Sequence, residues 1–452
     1  MAKMDVKHHW NHKLAQICLA GIWTKPEIIA RVHEAIAGSR ETSWIAPLVK
    51  RILVRFPEGN YPEFSQLLGF LIHDEDLSSW LAWSYEDDPF LSLLALPDVK
   101  MQPGKGVSAE WNLPVLTTPV QLAEWLGITS GELSWFANTI SESGSTYPQK
   151  LTHYRYHWQP KRKGLPRLIE SPKDRLKILQ RQLLEQILNR IPVHSAAHGF
   201  CAGRSIVTAA ERHVRQDMVL KMDLENFFPG ILPGRIGNLF RWFGYPPRVV
   251  PLLVGICTNA VPADQLQQMT KTFPFEQVLQ LRNLYQNRHL PQGAVCSPAV
   301  SNLVANRLDR RLDGFAKTQE LQYTRYADDL VFSGADRRNS MLSNIRIMIN
   351  AIVLDEGFRV RHRKTKVVRR GNRQQVLGIV VNQKLNVARC RYDQLHAILH
   401  NCRKFGPVSQ NREAHPNFGA HLQGQISFVA MVNSKKAAKL EKIFKEIDWS
   451  GY

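Results

Sequence analysis

Apolar residues return at helical intervals near the start of the chain: Leu14, Ile17, Cys18 and Ile22, then Ile28, Ile29, Val32 and Ile36. Steps of three and four put such residues on one helix face, which predicts a helical N-terminal extension over residues 1–112. Its last stretch, 98–112, holds Pro103, Gly104 and Gly106 and few large apolar residues, the composition of a linker. Thr118-Pro119 then opens a second helical unit, with Leu122, Leu126, Leu133 and Phe136 forming its apolar side around a turn at 127–130. The unit has the outline of a small helix-turn-helix. It is acidic, however, so packing against the following domain is favoured over reading DNA.

From Tyr154 the pattern changes to short strands alternating with helices. Pro160-Lys-Arg-Lys-Gly-Leu-Pro-Arg167 reads as a basic hairpin around a glycine. A helix is expected over 176–191, with Leu176, Leu179, Leu183 and Ile187 on one face. Further strands are expected at 218–223 and 376–382, and a hairpin at 322–333, where apolar and aromatic residues alternate on either side of an acidic turn. Together these elements predict an α+β fold around a largely antiparallel sheet.

The chemistry begins at that hairpin. Tyr323-Thr-Arg-Tyr-Ala-Asp-Asp-Leu-Val-Phe-Ser-Gly334 carries two adjacent carboxylates, Asp328 and Asp329, at its tip. Adjacent carboxylates repel each other unless a cation lies beside them. Mg²⁺ answers that need, because it takes carboxylate oxygens and leaves positions open for phosphate and water; a plain exposed acidic turn is the other reading. The apolar run Val219-Leu-Lys-Met ends on Asp223 and leads into Phe227 and Phe228. Asp223 either caps a helix beginning at Leu224 or joins the hairpin pair. In the second case, three carboxylates would hold two metal ions about 3.5–4 Å apart, the arrangement of two-metal phosphoryl transfer. Between these elements, Pro291-Gln-Gly293 and Ser297-Pro298 form a loop whose backbone can approach a ligand closely, followed by a helix start.

Composition narrows the partners. The chain has 452 residues, 44% of them hydrophobic, enough for two or three domains and a large core. The net charge of +20 is uneven: residues 1–150 hold 12 Lys and Arg against 17 Asp and Glu, and residues 151–452 hold 47 against 22. An excess that large over one part of the chain points to a polyanion, and nucleic acid suits it better than a membrane surface. No apolar run reaches the roughly 18–20 residues of a membrane span, and the N-terminus lacks a signal-peptide core. Six scattered cysteines without a CxxC pair suit a reducing, cytoplasmic setting. Cys390, His396, His400 and Cys402 have zinc-binding residue types. With no CxxC to anchor a site, they read as ordinary helix residues.

The order of these elements carries more than any one of them. A basic hairpin, a strand aspartate followed by two phenylalanines, a Gln-Gly/Ser-Pro loop and Tyr-Ala-Asp-Asp appear in turn, followed by Lys364-Thr365 and Val376-Leu-Gly-Ile-Val-Val-Asn382. Over residues 115–445 the chain resembles the retron-type bacterial branch of the reverse transcriptase family. That resemblance implies a right-hand polymerase: fingers over 113–219, an antiparallel palm over 220–385 and a helical thumb over 386–452, behind the extension 1–112. It implies an RNA-directed DNA polymerase that copies a partner noncoding RNA into DNA with deoxynucleoside triphosphates, in an anti-phage defence setting with an effector protein.

The resemblance also implies roles. Asp223, Asp328 and Asp329 are the catalytic metal ligands for two Mg²⁺ ions, with Mn²⁺ as an alternative, and Asp329 serves geometry more than ligation. Lys163 and Arg167 hold the triphosphate, Phe228 screens out the ribose 2′-hydroxyl, Gln292 and Gly293 contact the incoming nucleotide, and Lys364 assists pyrophosphate departure. Val376, Gly378 and Asn382 grip the primer end. Three departures from the family pattern stand out: Ala209 where retron enzymes carry Asn ahead of His213, Leu377 in place of Thr in the grip, and Ala294-Val295-Cys296 in place of a Pro-Thr pair. They leave open a defence enzyme with another template or priming mode; the other rivals are a group II intron-type maturase and an RNA-binding scaffold with a decayed polymerase core.

Overall fold

Three separate stretches of sequence meet in one antiparallel sheet of four strands. The computed structural model describes residues 2–19, 23–36, 42–58, 62, 64–84, 100–137, 152–160, 165–268 and 273–450. Two compact units divide the chain, Met1–Pro192 with Phe228–Val304 and Val193–Phe227 with Ala305–Tyr452.

In the first unit, the helices Ala2–Cys18, Lys25–Ala35, Ile45–Arg55, Phe64–His73 and Glu75–Ser84 fulfil the helical reading of the N-terminus. Ile45, Leu48, Val49 and Ile52 line the buried face of the third helix, while Lys50 and Val54 point out. Burying each such side chain contributes roughly 1.5–3 kcal/mol. Trp10, Trp44 and Trp80 cluster in the same core, with Trp44 and Trp80 ring centroids 4.5 Å apart. The segment read as a linker is strapped down where it is described. Gln102 donates its amide to the Gly244 carbonyl and Gly104 to that of Trp242. A Cβ on Gly104 would sit 2.5 Å from the Trp242 ring, so the glycine permits close approach rather than flexibility.

The small helical unit behaves as read. Thr118 caps Pro119–Leu126, which ends on left-handed Gly127, and Thr129 and Glu132 form a capping box on Ser130–Phe136. Strands β1 (Tyr154–Gln159) and β2 (Arg167–Pro172) pair antiparallel, Gln159 opposite Arg167. The hairpin tip with Lys163 lies outside the described residues. The expected helix over 176–191 is instead Asp174–Gln186 followed by a 3₁₀ turn, Leu188–Arg190. Pro192 keeps Ile191 extended, at φ −97°, ψ 122°, while the α-helix already ends at Ile187, whose φ is −123° and ψ −64°.

The second unit holds the four-stranded sheet: β3 (Met218–Asp223), β4 (Gln322–Tyr326), β5 (Asp329–Gly334) and β6 (Lys366–Arg369), ordered β4-β5-β3-β6. Central β3 is buried except at Lys221, as expected of a strand covered on both faces. The helix Asn306–Thr318 packs on β4 and on the helix Asn339–Asp355. The single strand expected at 376–382 is a small hairpin, β7 (Gln375–Val376) with β8 (Ile379–Val380). Leu377 and Gly378 take φ of +50° and +85°, the two positive angles of a twist-matched two-residue turn. After it, Arg389–Phe405, Phe418–Val432 and Ser434–Lys445 close around Leu395, Leu399, Leu422, Ile426 and Leu440. Cys390, His396, His400 and Cys402 all fall on the first of these helices, and no metal-binding cluster of such residues occurs among the described residues.

Candidate active site

Register brings the carboxylates together. In the β3–β5 ladder Asp223 lies directly opposite Asp329, a separation of about 4.5–5.5 Å between Cα atoms. Tyr326 pairs with Asp329 across β4–β5, so Ala327 and Asp328 are the two residues of the turn. Leu224 does not start a helix. Its amide donates to the Asp328 carbonyl at 2.8 Å, and it forms a bridge with Val360. The Arg361 amide donates to the Asp223 carbonyl at 2.7 Å. These backbone bonds fasten the end of β3 to the hairpin tip, so the helix-cap reading of Asp223 fails.

The side chains form an acidic knot with cations around it. Asp223 is buried, with Lys364 Nζ 2.6 Å from its Oδ2 and the Arg361 guanidinium 3.4 Å from its Oδ1. Oδ1 accepts no hydrogen bond. The Asp329 carboxyl is pushed up to about 6 by loss of hydration and then by the charges of Asp328 and Asp223, against the opposing pull of Lys364 and Lys221. A carboxylate raised by like charges, beside one with an oxygen left over, is the donor set a hard cation relieves. No group of three or more His, Cys, Asp or Glu residues is set to hold a metal by itself among the described residues, so a divalent ion here would take one or two carboxylates and complete its shell with water and phosphate. Mg²⁺ prefers that arrangement over an all-protein site.

A second group of predicted residues falls in the first unit. Gln292 accepts the Glu170 amide on its backbone carbonyl at 2.8 Å. Gly293, at φ +125°, is so close that a Cβ would meet the Glu170 carbonyl oxygen at 2.9 Å. Beneath this loop, fully buried Glu170 accepts from Asn259 at 2.8 Å and pairs with buried His289 at 2.9 Å. His289 is raised despite its burial, because Glu170 holds its proton. Arg167 is half-buried at the start of β2. Phe228 is half-buried, whereas Phe227 is buried and stacked on Phe358 at 5.7 Å, so the two aromatics have separate fates.

The predicted grip residues differ among themselves. Val376 is buried in a core with Val219, Val331 and Ile379. Gly378 is open, with nothing near its Cβ position. Asn382 is spent on the backbone: it accepts the Gln374 amide and donates to the carbonyls of Arg370 and Asn372.

Sequence reading missed Arg361, Glu170, His289 and the buried pair Asp309–Arg325. For Arg325 a signal existed, since alternation in Tyr323-Thr-Arg places it on the same side of the strand as buried Tyr323. For Glu170 and His289 there was none, because 119 residues separate the two partners.

Known proteins resemble this chain closely. Residues 159–381 match the family model described as reverse transcriptase (RNA-dependent DNA polymerase). The retron Mx65 reverse transcriptase of Myxococcus xanthus is 37% identical over 347 residues, covering 75% of this chain and 74% of that one. The retron Mx162 enzyme of the same organism is 36% identical over 342 residues, 72% and 66% of the two chains. The retron Ec86 reverse transcriptase of Escherichia coli is 29% identical over 277 residues, 61% and 74%. The class is therefore RNA-directed DNA polymerase, a nucleotidyltransferase whose partners are RNA and DNA, with the right-hand fold that a reverse transcriptase domain implies. Within that class, the chain belongs to the retron reverse transcriptases.

Proposed function

We propose that this reverse transcriptase copies a partner noncoding RNA into DNA within a retron defence system, with Asp223, Asp328 and Asp329 as its catalytic carboxylates. One observation carries the site: strand register sets Asp223 opposite Asp329, next to the turn that presents Asp328. Enzymes of this family generally use divalent metal ions. In our reading Asp223 and Asp328 hold two Mg²⁺ ions and Asp329 shapes their setting. When bound, these ions supply the Lewis acidity that activates a primer 3′-hydroxyl and steadies departing pyrophosphate.

The chain's own residues do the rest. Lys364, exposed over about half its side chain and now on Asp223, releases that carboxylate and turns to phosphate. Arg167 and Lys163 hold the triphosphate, Gln292 and Gly293 seat the nucleotide, and Phe228 excludes the ribose 2′-hydroxyl. Gly378 offers open backbone to the primer strand, while Val376 and Asn382 hold the hairpin that presents it. Fingers, palm and thumb occupy 113–219, 220–385 and 386–452 behind the extension 1–112. Six free cysteines support a reducing cytoplasm, and no described helix is long and apolar enough to cross a membrane.

Primer extension on an RNA template with Mg²⁺ tests the site. Asp328→Asn should lose roughly a thousandfold or more in kcat at an unchanged melting temperature. Product equal to that of the parent would end the catalytic assignment.

A further inference from the structure

A full charge sits in the core beside the hairpin tip. Arg325 and Asp309 are both fully buried and joined in a two-pronged pair, Nε to Oδ1 at 2.7 Å and Nη2 to Oδ2 at 2.6 Å. The Tyr323 hydroxyl adds a third bond to Asp309 Oδ1 at 2.9 Å. Apolar side chains of the same volume stabilise a core as well as a buried ion pair does, or better. Stability therefore does not account for the pair.

Its remaining contacts do. Arg325 Nη1 donates to the Ala327 carbonyl at 3.2 Å. Ala327 immediately precedes Asp328 and holds a left-handed φ of +54°, a conformation that an L-residue adopts only under constraint. The same guanidinium lies over the Phe227 ring at 5.8 Å, and Phe227 follows Asp223 by four residues. One planar group thus touches both limbs that carry the carboxylates. The Arg325 backbone is fixed as well, its amide donating to Ala196 and its carbonyl accepting from His198.

We propose that Arg325, held flat by Asp309, is a positioning residue that sets the hairpin turn against the end of β3 and so fixes the spacing of the carboxylates. Arginine suits the task because its rigid fork can serve a carboxylate, a carbonyl and a ring face together. The single ammonium of lysine cannot. The inference rests on the reading of Asp223, Asp328 and Asp329 as metal ligands.

Three variants test it: Arg325→Lys, the paired change Asp309→Leu with Arg325→Met, and Asp328→Asn as reference. The paired change leaves no orphan charge, so its melting temperature should stay near that of the parent. In both positioning variants, Mn²⁺ binding to the free protein, followed by electron paramagnetic resonance, should weaken at least tenfold. On the order of a hundredfold should be lost in kcat, the cost of about 1 Å of misplacement, with KM for template-primer within twofold. The lysine variant supplies the same readouts if the paired variant does not fold. Parent-like Mn²⁺ affinity and kcat in a folded positioning variant would overturn the proposal while Asp328→Asn stays inactive. An active Asp328→Asn enzyme would instead overturn the site reading beneath it.

Discussion

Gly293 and His213 show how single residues hold this polymerase together. Gly293 combines a positive φ with a backbone oxygen 2.9 Å from where a Cβ would stand, so neither a turn of the chain nor a shift of a flexible side chain can make room. Gly293→Ala should cost roughly 1–3 kcal/mol of stability and raise KM for the nucleotide more than it lowers kcat, measured by denaturant melts and steady-state extension. His213 is a fully buried ring, bonded to Ser333 at 2.6 Å and Thr324 at 2.7 Å. Burial first, then the charges of His198 and Arg212, push it down to about 3. Between pH 6.5 and 3 the unfolded chain takes up a proton that the folded ring refuses, so stability is present above 6.5 and is lost as pH falls. Between pH 7.5 and 5.5 the loss is on the order of 1 kcal/mol. His213→Asn should show a correspondingly smaller drop between urea melts at pH 7.5 and 5.5.

At the scale of elements, the hairpin β4–β5 depends on a loop far away in sequence. Gly199 is buried, and a Cβ there would lie 2.7 Å from the Ala327 amide nitrogen. Its obstacle is backbone, which cannot swing aside as a side chain would. Gly199→Ala should therefore displace the turn and lower kcat at least tenfold, with a fall in melting temperature too small to explain the loss; parent-like kcat in a folded variant would refute this. The β7–β8 hairpin teaches the converse. Its run of apolar residues reads as one strand, because alternation records burial and is silent on a left-handed Leu377.

At the scale of the whole molecule, charge is the governing quantity. The excess of 47 Lys and Arg over 22 Asp and Glu in residues 151–452 makes nucleic-acid binding a counterion-release process. Raising KCl from 50 to 200 mM should weaken template-primer binding by a factor of about 10³ or more if six or more phosphates are engaged, as followed by fluorescence anisotropy. A loss under tenfold would mean that the basic surface does little of the binding. The acidic N-terminal stretch, 12 Lys and Arg against 17 Asp and Glu, should contribute little to that slope.

The linear chain by itself determined the helical extension, the strand ending on Asp223, the acidic hairpin and the order of motifs that marks a retron reverse transcriptase. Each of these is written in local spacing, and local spacing is all that helix and strand periods require. Folding alone decided the rest: which cation meets Asp223, that Glu170 and His289 pair beneath the 291–293 loop, that 102–104 is strapped rather than loose, and that Arg325 is neutralised by Asp309. Those partners lie between 16 and 142 residues apart. No periodicity along a chain encodes a distance through space, so only the packed molecule could pair them.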